Sequence, residues 1–203
     1  MDAKEILKQY GIPLPVMKTV KTKQDAVDAA KAIGYPVVLK IHSSTILHKT
    51  DVGGVKLGIE NEYQLREAYE AMEKRLKNGI DGFLVQKMYE GHYVIAGMKR
   101  DRQFGPVVAF GLGGIFVEIM KDVSLRIAPL TGKDADEMIK EIKTYPVLAG
   151  ARGGIKADLA LLKDILMKVS RLSVEHPEIK ELDLNPVVVN AKEAVAVDVR
   201  MIE

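Results

Sequence analysis

Apolar positions along this chain recur at helical spacing in its first third and then largely at the spacing of strands. Ile6, Leu7 and Tyr10 share one side of a short helix that Gly11 and Pro13 end. After a short strand near Val16 to Val20, Thr22 is placed to cap a helix in which Ala26, Val27, Ala30 and Ile33 repeat up to Gly34. An apolar run, Pro36 to Leu39, ends in Lys40. Hydroxyls, His48, Lys49, Asp51 and the Gly53-Gly54 pair follow before alternation resumes at Val55, Leu57 and Ile59. This predicts a hairpin with a polar, glycine-bearing loop. Asn61 caps a longer helix with Leu65, Ala68, Tyr69, Met72 and Leu76 on one face, and Asn78-Gly79 stops it.

From Gly82 the period becomes that of strands. Phe83 to Met88, Tyr93 to Met98, Pro106 to Phe110, Ile115 to Met120 and a short run at Leu125 to Ala128 predict a mixed sheet. Thr131 caps a helix through Ala135, Met138, Ile139 and Ile142 that breaks near Pro146. Gly150 to Gly154 is a loop, and Leu159 to Val174 a long helix. Two strands, Leu182 to Val189 and Ala194 to Met201, close the chain. The change of period near Gly79 to Gly82 divides it into lobes 1–80 and 81–203.

The closing strands specify their own register. A turn about Ala191-Lys192 sets Asn185 opposite Asp198 and Asp183 opposite Arg200. It also pairs Leu182, Leu184, Pro186 and Val188 with Met201, Val199, Val197 and Val195 on an apolar face. A one-residue slip would carry charges onto that face. Directly opposed side chains have Cβ atoms about 5 Å apart, so Asn185 and Asp198 can share a magnesium ion, with Asp183 as a third or supporting ligand. A surface ion pair between Asp183 and Arg200, beside an asparagine that only precedes a proline turn, is the plainer alternative.

Composition narrows the partners. In 203 residues with a net charge of +2, acids and bases are interspersed, and no basic stripe marks a nucleic-acid or membrane surface. There is no cysteine, which removes disulfides, thiolate nucleophiles and cysteine metal sites and favours hard oxygen ligands. No apolar run approaches the roughly 20 residues of a membrane span, and the polar start does not resemble a signal peptide, so a cytoplasmic protein is expected. In the hairpin loop, glycines let backbone N–H groups approach phosphate oxygens while Lys40 and Lys49 add charge. An ordinary solvated loop fits that stretch equally well. It is not a Walker loop, whose spacing occurs nowhere in the chain.

Six stretches, in order, resemble the ATP-grasp (beta) subunit of ADP-forming acyl-CoA synthetases, relatives of succinyl-CoA synthetase. They are Gly-Tyr-Pro-Val-Val-Leu-Lys (34–40), Ile-Leu-His-Lys-Thr-Asp-Val-Gly-Gly-Val (46–55), Arg-Asp-Arg-Gln-Phe-Gly-Pro (100–106), Phe-Gly-Leu-Gly-Gly-Ile-Phe-Val-Glu (110–118), Glu-Leu-Asp-Leu-Asn-Pro (181–186) and Ala-Val-Asp-Val-Arg (196–200). The resemblance implies an α+β ATP-grasp fold whose two lobes hold ATP between their sheets. It implies Lys40 on the nucleotide phosphates, Gly53 and Gly54 over them, and Gln86-Lys87-Met88 as a hinge whose backbone reads the adenine edge. It also implies Asn185 and Asp198 as magnesium ligands with Glu118 near the ion, and Arg126 and Arg152 as further phosphate contacts.

His48 matches a histidine that in this family carries phosphate between ADP and a second phosphohistidine on a partner subunit. An imidazole titrating near 6.5 suits both attack on and departure from a phosphoryl group. Lys49 would hold the transferred charge, and Asp51 could orient the ring. Where such proteins usually carry a ribose-binding glutamate stands Tyr93, so Glu90 or Asp101 substitutes or ribose is held differently. Because the first helix begins at once, the family's N-terminal arm is expected to be short or missing. Gly111-Leu112-Gly113-Gly114 fails the dinucleotide-binding spacing, so a separate CoA-binding alpha subunit, in a hetero-oligomer, is expected to form the acyl phosphate. Two other readings are a self-contained ATP-grasp carboxylate–amine ligase and a non-catalytic nucleotide-binding regulatory module.

Overall fold

The computed structural model describes residues 2–43, 45, 46, 52–76, 79–114 and 120–203. Contacts divide the chain into two compact units, Pro15–Met88 and Met1–Leu14 with Tyr89–Glu203. This differs from lobes at 1–80 and 81–203 in two places. The first helix, α1 (Ala3–Gln9), buries Ile6 and Leu7 in the core of the later unit. The strand at 82–87 belongs to the earlier sheet. Strand and helix periods reveal which face of an element is apolar but not which core receives it.

In the Pro15–Met88 unit, β1 (Met17–Val20), β2 (Val37–His42), β3 (Val55–Ile59) and β4 (Gly82–Lys87) form one sheet in the order β1-β4-β2-β3. Two helices cover it, α2 (Lys23–Ile33) and α3 (Glu62–Arg75). Both start where expected, because the Thr22 hydroxyl accepts from the Asp25 N–H and the Asn61 side-chain amide oxygen from the Gln64 N–H. Val27, Leu39, Ile41, Leu65, Phe83 and Val85 are wholly or nearly buried between helices and sheet. Among them the Tyr69 and Phe83 rings lie 4.3 Å apart, and the Tyr69 hydroxyl donates to the Lys21 carbonyl.

The second unit holds β5 (His92–Asp101), β6 (Gly105–Leu112), β7 (Val123–Ile127), β8 (Glu181–Val189), β9 (Ala194–Ala196) and β10 (Val199–Ile202), in the order β10-β8-β5-β6-β7 with β9 beside β8. Every strand pair in this sheet is antiparallel, which corrects the mixed sheet. Alternation of side chains gives no strand direction; direction follows from the short connections that join β5 to β6 and β8 to β9. Helices α4 (Gly132–Glu141), α5 (Tyr145–Leu148) and α6 (Leu159–Glu175) belong to this unit, and Met138, Ile139, Leu148, Leu166 and Val169 meet Val108 and Phe110 in its core. The predicted strand at 115–120 falls outside the described residues except for Met120. No helix among the described residues is long and apolar enough to cross a membrane.

The closing register is the one the sequence specifies: Leu184 pairs with Val199, Asp183 with Arg200, Leu182 with Met201 and Val188 with Val195. The predicted continuous apolar face is corrected. Against β5 the register of β8 shifts between Val94 and Ala96, so that Asn185 and Pro186 both stand against Ile95. Such a bulge re-aims the residues beyond it. Leu182 and Leu184 enter the main core, whereas Val188 and Val195 join Tyr89 and Val197 in a separate cluster. On the other side the partner strand breaks at Val197-Asp198, between β9 and β10.

Candidate active site

The sheet of the Pro15–Met88 unit has two unlike faces. Val37, Leu39 and Ile41 turn to the helices with Phe83 and Val85. The alternate positions of β2, Val38 and Lys40, stand directly beside Gln86 and Leu84 of β4. Lys40 and Gln86 are buried, at 7% and 3% exposure, although both are polar. Groups of this kind are costly to bury unless they are engaged. Val38 and Leu84 beside them are buried as well, at 4% and 8% exposure.

The predicted hinge lies where one unit gives way to the other, at 88/89. The Lys87 N–H donates to the Val16 carbonyl at 2.9 Å, and the Met88 N–H donates to the Pro36 carbonyl at 3.2 Å. Both are committed within the unit, so neither N–H is directed at an adenine edge in this conformation.

His48, Lys49, Asp51 and Glu118 lie outside the described residues. Residues 43, 45 and 46 before the histidine, and 52–76 after it, are described. Upstream, the Ser43 hydroxyl donates to the Gly79 carbonyl and accepts from the Thr45 and Ile46 N–H groups at 3.1 and 3.0 Å. The Thr45 hydroxyl reaches the same carbonyl at 3.3 Å. Downstream, the Arg75 guanidinium donates to the Gly53 carbonyl, and the buried Gly54 carbonyl accepts from the Ile41 N–H at 2.8 Å. Gly53 has φ +63°, a left-handed backbone conformation that favours glycine.

In the second unit, Asn185 faces Asp198, and the Asn185 N–H donates to the Asp198 carbonyl at 3.2 Å. Asp183, half-buried two pairs away, faces Arg200. Burial pushes the Asp183 carboxyl above the usual carboxylate range; the Asn185 amide opposes this, Glu181 adds to it, Arg200 opposes it and Asp198 adds to it. The carboxylates of Glu181, Asp183 and Asp198 thus outnumber the Arg200 cation in this part of the hairpin. Its donors, two carboxylates and an amide oxygen, are the hard ligands magnesium takes when waters or phosphates complete the octahedron. Among the described residues no group of three or more His, Cys, Asp or Glu could hold a metal ion. Gly97 lies across from Asp183, and a Cβ there would come 2.5 Å from the Leu182 carbonyl, so only glycine lets β5 and β8 approach this closely.

The remaining predicted residues separate. Arg126 is held in a two-pronged ion pair by Glu141 of α4, at 2.8 and 2.5 Å, and Glu141 also accepts from Ser124. Arg152 is exposed, with the left-handed φ of +57° that is uncommon outside glycine. Asp101 cannot replace the ribose carboxylate beside Tyr93. It lies at the far end of β5, and its carboxylate accepts from the Gln103 and Phe104 N–H groups at 2.8 and 3.0 Å. Tyr93 is exposed, and the exposed Glu90 is the nearer acid in sequence.

A family model described as an ATP-grasp domain matches residues 1–202. The chain belongs to the ATP-grasp family. Among its relatives, the acetate–CoA ligase [ADP-forming] I subunit beta of Pyrococcus furiosus is 52% identical over 99% of this chain and 89% of that protein. The acetate–CoA ligase [ADP-forming] I of Archaeoglobus fulgidus is 48% identical over 97% of this chain, which spans only 30% of that longer protein. A solved structure of Ca. Korarchaeum cryptofilum dinucleotide forming acetyl-coenzyme A synthetase 1, in complex with coenzyme A and Mg-AMPPCP and with its phosphohistidine segment pointing towards the nucleotide binding site, superposes with a TM-score of 0.85. It is 44% identical over 99% of this chain and 90% of that chain.

Within this ATP-grasp chain, sequence reasoning missed Ser43, Arg75 and Gly97. Basic residues in a last helical turn ordinarily complement the helix dipole, so Arg75 carried no distinguishing signal. Gly97, inside an otherwise apolar strand, did carry one, since a lone strand glycine marks a close approach.

Proposed function

We propose that this chain is the nucleotide-binding subunit of an ADP-forming acyl-CoA synthetase, acting with a CoA-binding partner to convert acyl-CoA, ADP and phosphate into free acid, CoA and ATP. The observation that carries the reading is the closing register, which sets Asn185 against Asp198 beside a charge-poor Asp183 in a chain of this family. Asn185 and Asp198 would hold magnesium, and Asp183 would support them. The ion, when bound, neutralises charge on the transferring phosphoryl group. Lys40 adds a point charge for the phosphate chain, and Gln86 orients the base end of the nucleotide.

In the ATP-forming direction, a β-phosphate oxygen of ADP attacks the phosphorus carried on His48. The new P–O bond forms as the P–N bond breaks, and the imidazole leaves neutral. Lys49 balances the charge that moves. A reaction that uses CoA and ADP fits a cytoplasmic location. The self-contained carboxylate–amine ligase is not favoured, because the relatives bear CoA-ligase names.

The deciding experiment is His48→Asn in the complete enzyme. Acid-labile phosphate should disappear from this chain and turnover should fall by about 10⁴-fold or more, as when a covalent nucleophile is removed. Retained turnover would exclude the phosphohistidine route.

A further inference from the structure

We propose that the loop from Gly150 to Lys156 binds a tetrahedral oxyanion, a free phosphate or the phosphate group of a larger molecule, at a place separate from the oxygen donors of the closing hairpin. Backbone geometry supplies the first support. Gly150 has φ +82° and ψ +35°, Ala151 is not left-handed, and Arg152 turns back to φ +57° and ψ +30° before Gly153 at φ +77°. Such alternation of handedness turns successive N–H groups toward one concave side, the arrangement that cradles anions. Among the described residues the N–H groups of Ala151, Arg152 and Gly153 have no acceptor. Side chains supply the second support. Arg152 and Lys156 are exposed, and neither pairs with a carboxylate among the described residues, whereas Arg126, Lys163, Lys168 and Arg171 each hold one. The loop closes on itself: a Cβ on Gly150 would lie 3.5 Å from the Lys156 Cβ, so the lysine stem stands beside the turn. Asp158, the nearest acid along the chain, is engaged by the Ala160 and Leu161 N–H groups.

The loop is also held in place before any ligand arrives. The Ala157 N–H donates to the Leu148 carbonyl at 2.9 Å, and the Gly154 N–H to the Ala151 carbonyl at 3.2 Å. The His92 Nε2 donates to the Ile155 carbonyl at 2.6 Å, and the Asp158 N–H to the Asn190 carbonyl at 3.0 Å. A binding loop fixed in advance loses little freedom when it captures its ligand. Its position separates it from the hairpin donors. His92 lies on the side of β5 that carries Val94 and Ala96 into the helical core, opposite to Gly97 and Asp183. It pairs with Val189, four residues beyond Asn185 and so about 13 Å along the strand. One phosphate group cannot span both places. A forked guanidinium, an ammonium and three backbone N–H groups donate in directions that are not coplanar, which suits four tetrahedral oxygens better than a flat carboxylate. The proposal stands whether or not His48 carries phosphate.

The test is titration of the full chain with inorganic phosphate at low ionic strength, read by calorimetry and by phosphorus-31 NMR. Saturable binding is expected, displaced by sulfate and not by acetate. Arg152→Gly keeps the left-handed backbone and removes the guanidinium, while Gly153→Ala keeps both cations and strains the turn. Each should weaken phosphate binding by about 10-fold or more, with a thermal midpoint within a few degrees of wild type. Lys156→Gln should act in the same direction. Parallel titrations with metal-free ADP and with CoA identify the source: the molecule whose affinity falls in both loop variants is the one the loop holds, and a fall for inorganic phosphate alone assigns free phosphate. If Gly153→Ala does not fold, the preference for sulfate over acetate decides in its place. Absence of saturable phosphate binding, equal displacement by acetate, or unchanged affinity in both folded variants overturns the proposal. A loss in Arg152→Gly with folded Gly153→Ala normal overturns it too, since that is attraction to charge without a built site.

Discussion

At the scale of single residues, the closing hairpin sets one half-buried carboxyl near two others. Asp183 is half-buried near Glu181 and Asp198, with Arg200 and the Asn185 amide as its counterweights, and its carboxyl is held above the ordinary range. A carboxyl whose folded-state pKa is raised favours folding while protonated, below its unfolded value of about 3.9, and the benefit is lost as pH rises through the folded pKa. In the metal-free protein, Asp183→Asn should therefore raise the thermal midpoint at pH 7 and make little difference near pH 3. The same variant should weaken magnesium-dependent binding of ADP by about 10- to 100-fold, as loss of a supporting carboxylate does. Asp198→Ala should weaken it at least as much. Calorimetry with Mg-ADP, beside melting curves across pH with and without the metal, reads both effects. A less stable Asp183→Asn at neutral pH would show that the carboxylate is already balanced by Arg200 alone.

At the scale of elements, much of the molecule was legible. Three predicted N-caps, Thr22, Asn61 and Thr131, accept the expected backbone N–H groups, because each cap depends on a residue and its near neighbours only. The register of β8 against β9 and β10 was legible too, since charges would otherwise enter an apolar face. The bulge at Asn185-Pro186 was not, for it is defined by Ile95 of β5, far earlier in the chain, which the local pattern does not see. Nor was the destination of α1, whose apolar side fits either core until the second closes over it. The stretch 100–106 carries a further lesson. Arg100, which drew notice only within a family motif, donates to the carbonyls of Ser173 at 2.7 Å, His176 at 3.2 Å and Ile179 at 3.3 Å. A cation here satisfies the open carbonyls at the end of α6 and meets the negative end of its dipole. Removing it leaves those acceptors poorly satisfied beside the start of β8. Arg100→Met should accordingly cost about 1–3 kcal/mol of stability with KM for ADP little changed, measured by denaturant unfolding.

At the scale of the whole chain, the question is how much of the reaction these 203 residues can perform. Each unit contributes one kind of chemistry: a sheet face with Lys40 and Gln86 in one, and an oxygen-rich hairpin in the other. No glycine-rich turn with dinucleotide-binding spacing occurs anywhere in the sequence, and in the Archaeoglobus relative a matching segment is only 30% of a longer chain. The division of labour follows from the chemistry. A phosphoryl group carried on an imidazole can leave the nucleotide site without releasing ATP, so the step that consumes acyl-CoA need not occur on the same chain. Supplied with Mg-ATP alone, this chain should accept label on His48 in an amount no greater than its own, because nothing discharges the phosphohistidine. Adding the CoA-binding partner with acid and CoA should turn that single event into continuous turnover, and adding it with acetyl-CoA, ADP and phosphate should yield ATP. ATP formation from acetyl-CoA by the isolated chain would mean that the acyl-phosphate step also lies within these residues, and the two-subunit reading would have to be abandoned.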